Sequence, residues 1–358
     1  MTARPAIVLA LAAACLPACR SGAFVPLPIT AAPLPAGTVV TPHLDAFLPE
    51  GKTVLWCATM PMAWDAARFE IFAGEPLHLG APADPELSAA MSAAFLPAVA
   101  TDPASCVVAA GEAPEASARF ARDVKERFGK TVAIPEFEPN EFAALSWLSK
   151  DLRFLHEFEA CKSPIRFAGS ERGVRAFGIN GRSRVEKLGD VLGQVTVHRT
   201  PGDAGSADAP DQVVLEFALQ EKDDRLLIAM VPRGATLRAA WEAVRDAAAG
   251  RGGALPRNAV LGVPRIDFDL TRRFPELEGP VTRPAVPRGA MLRRVEQRIA
   301  LRLDQTGARL LSEGRIFGIK GESPFVFDRP FLLALARRGV DTPYLLLWVG
   351  NDDLLVKE

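Results

Sequence analysis

The sequence predicts an α+β fold built on a large mixed or antiparallel central sheet, with further sheets and with helices in the N-terminal half. Two observations predict it. Segments with helical periodicity gather early in the chain, and apolar runs with strand character gather in its C-terminal half. A third, a long stretch near residue 300 in which apolar and charged residues alternate, needs a partner layer to cover one of its faces.

The elements follow in order. Thr53–Ala58 is a short apolar run after Gly51, readable as a buried strand leading into a helix around Trp64 to Phe72. Helices are expected at 85–96 and 115–128; in the second, Phe120, Val124 and Phe128 share a stripe and Gly129 stands where a helix stops. The segment 145–158 is mixed, and Gly202 to Pro210 is a low-complexity loop. Val213–Leu219 and Leu226–Val231 form a hairpin across the polar Gln220–Arg225. Thr236 then caps a helix that carries Leu237, Ala240, Trp241 and Val244 on one face. From 294 to 304, Val295, Gln297, Ile299, Leu301 and Leu303 alternate with Arg294, Glu296, Arg298, Ala300, Arg302 and Asp304, a strand with one buried face. Two closing apolar runs, Phe325 through Leu335 and Tyr344–Val349, are expected to pair antiparallel in the core.

Ahead of these elements lies a different kind of sequence. After Arg4, residues 6–14 are apolar, too short to span a bilayer and the right length for a signal-peptide core. Leu16-Pro17-Ala18-Cys19 resembles the bacterial lipobox, which implies cleavage after residue 18 and acylation of Cys19. Residues 19–49 hold Pro26, Pro28, Pro33, Pro35, Pro42 and Pro49 and read as an extended tether. The organisation expected is therefore a signal peptide at 1–18, a tether at 19–49 and a single domain at 50–358, exported and lipid-anchored to a bacterial membrane, facing periplasm or exterior.

The formal charge of -1 gives no bias toward nucleic acid or an acidic substrate. Cys57, Cys106 and Cys161 would remain in the mature chain, an odd set with no metal-ligand spacing, readable as buried thiols or as one disulfide plus one thiol. His43, His78, His156 and His198 stand alone, and no nucleophile elbow, zinc-protease helix, phosphate loop or dinucleotide fingerprint is present, so no enzyme, metal or cofactor is expected. Glu136, Glu138 and Glu141 lie among Pro135 and Pro139 and read as solvated loop acids.

The segment Phe325-Val326-Phe327-Asp328-Arg329-Pro330-Phe331-Leu332 is similar to the C-terminal signature of the serpins, in which a Phe, an acidic or amide residue, a basic residue and Pro-Phe-Leu introduce the penultimate buried strand. Val295 to Gly307 resembles that family's long strand running into the hinge of its reactive loop. The 213–231 hairpin with Met230–Gly234, and Val263-Pro264-Arg265-Ile266-Asp267-Phe268, resemble two further family segments in the same order. The resemblance covers 211–350. It departs from the family at the last strand, where the usual Gly-Arg pair is absent, and at the polar cluster beneath the opening sheet, where Cys57, Leu145 and Gln297 fall in place of a serine, an asparagine and a histidine.

The resemblance implies a protein that works by strain: a protease cuts an exposed loop, and the loop enters the sheet as a new strand. The bait would be 308–324, the hinge Gly307, Ala308, Leu310, Ser312 and Gly314, and the residue before the cut Lys320 or Arg315. Alternate hinge residues must fit inside, and Leu310 is oversized for that purpose, at a cost of roughly 1–3 kcal/mol. The expected partner is a trypsin-like serine protease, the expected state a monomer. A non-inhibitory scaffold of the same fold is the alternative, and Arg288, Arg293, Arg294, Arg298, Arg302 and Arg309 raise the further possibility of a polyanion-binding face.

Overall fold

The computed structural model describes residues 34–80, 84–93, 103–133, 137, 140–179, 188–199, 212–257, 259–283, 289–307 and 324–358. In chain order the elements are β1 (Thr38–Thr41), β2 (Thr53–Cys57), α1 (Thr59–Glu70), β3 (His78–Leu79), α2 (Pro85–Ala93), β4 (Cys106–Glu112), α3 (Ala113–Phe128), β5 (Phe142–Leu148), β6 (Glu159–Ala160), β7 (Ala176–Ile179), α4 (Leu188–Gly193) and β8 (Val195–Arg199). They continue as β9 (Val213–Phe217), β10 (Asp224–Met230), α5 (Leu237–Ala249), β11 (Gly253–Ala254), β12 (Val260–Pro264), β13 (Ile266–Arg273), β14 (Gly279–Arg283), β15 (Met291–Leu292), β16 (Glu296–Leu303), β17 (Pro324–Val326), β18 (Phe331–Arg337) and β19 (Leu345–Val349).

The largest sheet has the order β1-β2-β19-β18-β10-β9-β8-β11. Its middle strands are largely apolar because both faces are covered: every residue of β2, β9 and β19 is buried, Thr53 and Glu216 being the polar members. Leu347 pairs with Leu333 on one side and Leu55 on the other, and Leu333 in turn with Ile228, a row of aliphatic side chains across four strands. α5 lies against this sheet. Thr236 Oγ1 accepts from Ala239 N at 3.2 Å, capping the helix, and Leu237, Ala240, Trp241, Val244 and Ala248 form its buried stripe. α3 ends at Gly129 in the left-handed conformation, and its Phe120 and Val124 meet Val107 and Ala109 of β4 in a small second core.

Three sequence expectations are corrected here. Packing begins before Glu50: β1 runs parallel to β2, Trp56 Nε1 donates to Pro42 O at 3.3 Å, and Leu44 and Leu48 are buried. Pro35, Pro42 and Pro49 fall outside β1, where a missing N–H costs no ladder bond, so they shape turns without preventing packing. The run from Phe325 to Leu335 divides at Pro330. Its first part, β17, pairs parallel to β12 in a sheet of order β17-β12-β7-β6, and only β18 joins β19. The alternating strand near 300 ends at Leu303 and does not run on to Gly307. Cys57, Cys106 and Cys161 are free thiols.

Candidate functional site

Two further two-stranded sheets, β4–β5 and β13–β16, share α1 as a support. No backbone rung joins β5 to β16 among the described residues. Instead, side chains of both strands converge on the start of α1. Ser146 Oγ of β5 donates to Thr59 O at 2.5 Å, and Gln297 Nε2 of β16 donates to Thr59 Oγ1 at 2.7 Å and to Cys57 O at 3.0 Å. Gln297 is buried and its Oε1 has no partner in this arrangement. The two strand edges therefore flank a slit whose floor is a polar bridge through Thr59.

Of the three positions compared with the family's cluster, Cys57 and Gln297 take part in this bridge and Leu145 does not. Leu145 packs against the Val107–Phe120 core, on the opposite side of β5 from α1, while Ser146 one residue on faces the helix. Thr59, not Cys57, supplies the hydroxyl, and Cys57 contributes its carbonyl. A lone serine inside the apolar run Phe142–Leu148 is the signal that locates this position.

At the head of the slit the chain leaving β16 turns sharply. Asp304 N donates to Gly307 O at 2.9 Å and Gly307 N to Asp304 O at 3.2 Å, an antiparallel bridge that closes the turn. Asp304 Oδ1 accepts from Thr306 N at 2.9 Å and Thr306 Oγ1 at 2.8 Å, which fixes the turn. Segment 152–158, downstream of β5, holds it from the other side: Phe154 N donates to Thr306 O at 3.2 Å, Phe158 N to Gln305 O at 2.9 Å, and Arg153 forms an antiparallel bridge with Gly307. Gly307 has φ of +133°, and a Cβ there would stand 2.3 Å from Leu152 O, so only glycine fits. Arg265 Nη2 donates to Gln305 Oε1 at 2.5 Å. Phe154, Phe158, Phe177 and Phe217 stack beneath, with centroids 4.8 to 5.9 Å apart.

The electrostatics of the outer face are balanced. Arg298 pairs with Asp269, Arg302 with Asp267 at 3.4 Å, Arg294 with Glu296 at 2.8 Å, and Arg293 with Glu141 at 2.7 Å. The basic face suggested by the sequence is thus a ladder of ion pairs, and Glu141 is one of its acids. Burial pushes the Cys161 thiol up to about 11, so it rests protonated. No group of three or more His, Cys, Asp or Glu side chains suited to a metal occurs among the described residues.

Of the sequence-assigned hinge, Gly307 alone is placed. Cys19, Ala308, Leu310, Ser312, Gly314, Arg315 and Lys320 lie outside the described residues, as do Glu136, Glu138, Arg288 and Arg309. Thr59, Ser146, Arg265 and the 152–158 segment were not assigned from sequence, because each acts through a contact distant along the chain.

No family model matches the chain, and no curated protein does. Solved structures do. A thyroxine-binding globulin in complex with thyroxine is 14% identical, with 66% of this chain and 65% of that one covered and a TM-score of 0.40. A second, human thyroxine-binding globulin structure is 14% identical over 66% and 64%, with a TM-score of 0.36. A serpin from the trematode Schistosoma haematobium is 12% identical over 66% and 63%, with a TM-score of 0.39. The matched part spans about 65% of the first of these structures. The fold is α+β, and its solved structural neighbours are serpins, the family whose C-terminal signature Phe325–Leu332 resembles.

Proposed function

We propose that this chain is an exported serpin-like lipoprotein, anchored through Cys19, that offers residues 308–324 as bait to a trypsin-like serine protease. The observation that carries the reading is the seating of Gly307. It stands between Asp304 and Arg153, antiparallel to both, at the head of a slit whose two edges have no backbone rung between them among the described residues. A strand continuing from that turn would keep its register. Ala308 would lie opposite Leu303, Leu310 opposite Leu301, Ser312 opposite Ile299 and Gly314 opposite Gln297, all four of those β16 residues being buried.

The chemistry belongs to the protease. Its serine oxygen attacks the carbonyl carbon of Arg315 or Lys320, the amine of the next residue leaves with a proton, and an ester joins loop and enzyme. The freed hinge then exchanges solvent for backbone partners on β5 and β16, and the attached enzyme is carried along the slit. Neither a cofactor nor nucleic acid has a part in this scheme, and one copy of the chain suffices.

A second reading, a binding scaffold that never inserts, has its own support. Leu310 is oversized for the interior, and Arg265, Asp304 and Thr306 all fasten the turn. One experiment separates the two: a thermal melt before and after limited trypsin nicking, with mass spectrometry to locate the cut. A cut after Lys320 or Arg315 with the melting temperature raised by tens of degrees, of the order expected when many kcal/mol are released, supports the inhibitor. A cut that leaves the melting temperature unchanged or lower supports the scaffold.

A further inference from the structure

At the end of β10 away from the slit, a cleft of about 510 Å³ opens between the entry to β2, the exit of β10 and the ends of β18 and β19. Its floor is apolar: Met230, Val231 and Trp348 are buried there. Pro232 and Pro330 form two of its walls and bring no backbone N–H to it. The rim is cationic. Arg233 and Arg329 are exposed, and the sole carboxylate in the lining, Glu50, reaches Arg233 at 3.7 Å from a side chain that is 92% exposed. An apolar floor with a few polar groups at its mouth, in a volume of this size, is the usual form of a small-molecule site. Two guanidiniums against one loosely held carboxylate favour an anionic head.

Position narrows the ligand. Ala36 O accepts from Lys52 Nζ at 2.9 Å, and Gly37 O accepts from Thr53 N at 2.9 Å and Asn351 Nδ2 at 2.8 Å. Lys52 and Asn351 adjoin Gly51 and Gly350 of the cleft lining, so Ala36 and Gly37, which lead into β1, lie beside the cleft mouth, and the choice of a lipid rests on the Cys19 anchor proposed above. We infer that the cleft binds an anionic single-chain lipid, its acyl chain on Trp348, Met230 and Val231 and its acidic group between Arg233 and Arg329. No residue of the slit is involved, so this binding stands or falls independently of the protease reading.

The test is a titration of the purified full chain with bromododecanoate, read by quenching of tryptophan fluorescence. Saturable quenching is expected, lost in Trp348→Phe, with Kd raised about tenfold in the Arg233→Ala/Arg329→Ala double variant, which corresponds to about 1.4 kcal/mol. Pro232→Glu, a change on an exposed wall outside any strand, is expected to weaken binding similarly while leaving the melting temperature in place. Equal quenching in a natively melting Trp348→Phe protein overturns the proposal. So does equally tight binding of uncharged bromododecanol, or unchanged affinity in the double arginine variant. Adsorption to phosphatidylglycerol vesicles without bromododecanoate binding would assign the arginines to surface attraction and overturn it as well.

Discussion

The large sheet and the slit are built from the same kind of strand and differ in whether the ladder is closed. From β2 to β8 every strand has a partner on both sides, and the row Leu55, Leu347, Leu333 and Ile228 is fully shielded. Across the slit, no backbone rung joins β5 to β16 among the described residues, and the two are linked through Ser146, Thr59 and Gln297. All seven residues of β5 are only half-buried. Among the described residues the ladder is complete in one region and incomplete in the other.

Breaking the closed region has the largest expected effect. Leu346→Ala, in a side chain with no exposed surface, removes packing on a face that cannot collapse and is expected to cost about 2–5 kcal/mol in denaturant unfolding. A loss below 1 kcal/mol would mean that the sheet is less tightly packed than its burial indicates. At the slit, Gly307→Ala forces a side chain against Leu152 O in a backbone region that disfavours it, at roughly 1–3 kcal/mol. Because the strain is local, trypsin cleavage of the loop should change more than global unfolding does. Equal changes in both would show that the hinge is part of the core unit.

The smallest effect concerns Glu216. Burial pushes its carboxyl upward, but the Arg225 and Arg338 guanidiniums outweigh that and hold it below its ordinary value of 4.5. A carboxylate so depressed contributes stability above about pH 4.5, and that contribution fades as pH falls through its lower folded value. Glu216→Gln should cost about 1 kcal/mol at neutral pH and flatten the acid limb of the melting profile below pH 4.5. An unaltered acid limb would assign the acid sensitivity to other carboxylates.

The same contrast decides what was legible beforehand. β9, β10, α5 with its Thr236 cap, β18 and β19 announce themselves locally, since apolar runs and caps are properties of neighbouring residues. β1 was hidden by prolines that lie beside the strand and not in it. The polar bridge was misread by one residue at Leu145, because the parity of a strand packed on two different cores cannot be told from alternation alone. The hinge turn was legible as far as Gly307, and its fastening by Arg265 and by segment 152–158 was not, since those partners come from elsewhere in the chain.

The pairing of β2 with β19 has a consequence for how the protein is made. Thr53 Oγ1 donates to Asn351 Oδ1 across 298 positions, and Leu55 meets Leu347, so the middle of the main sheet joins the two ends of the domain. A nascent chain cannot complete that sheet until its final strand has left the ribosome, and contacts of such long range close slowly. The main sheet therefore gains its central pairing only when segments 298 positions apart have met, so strands on either side of β2 and β19 are stabilised together and not one after another.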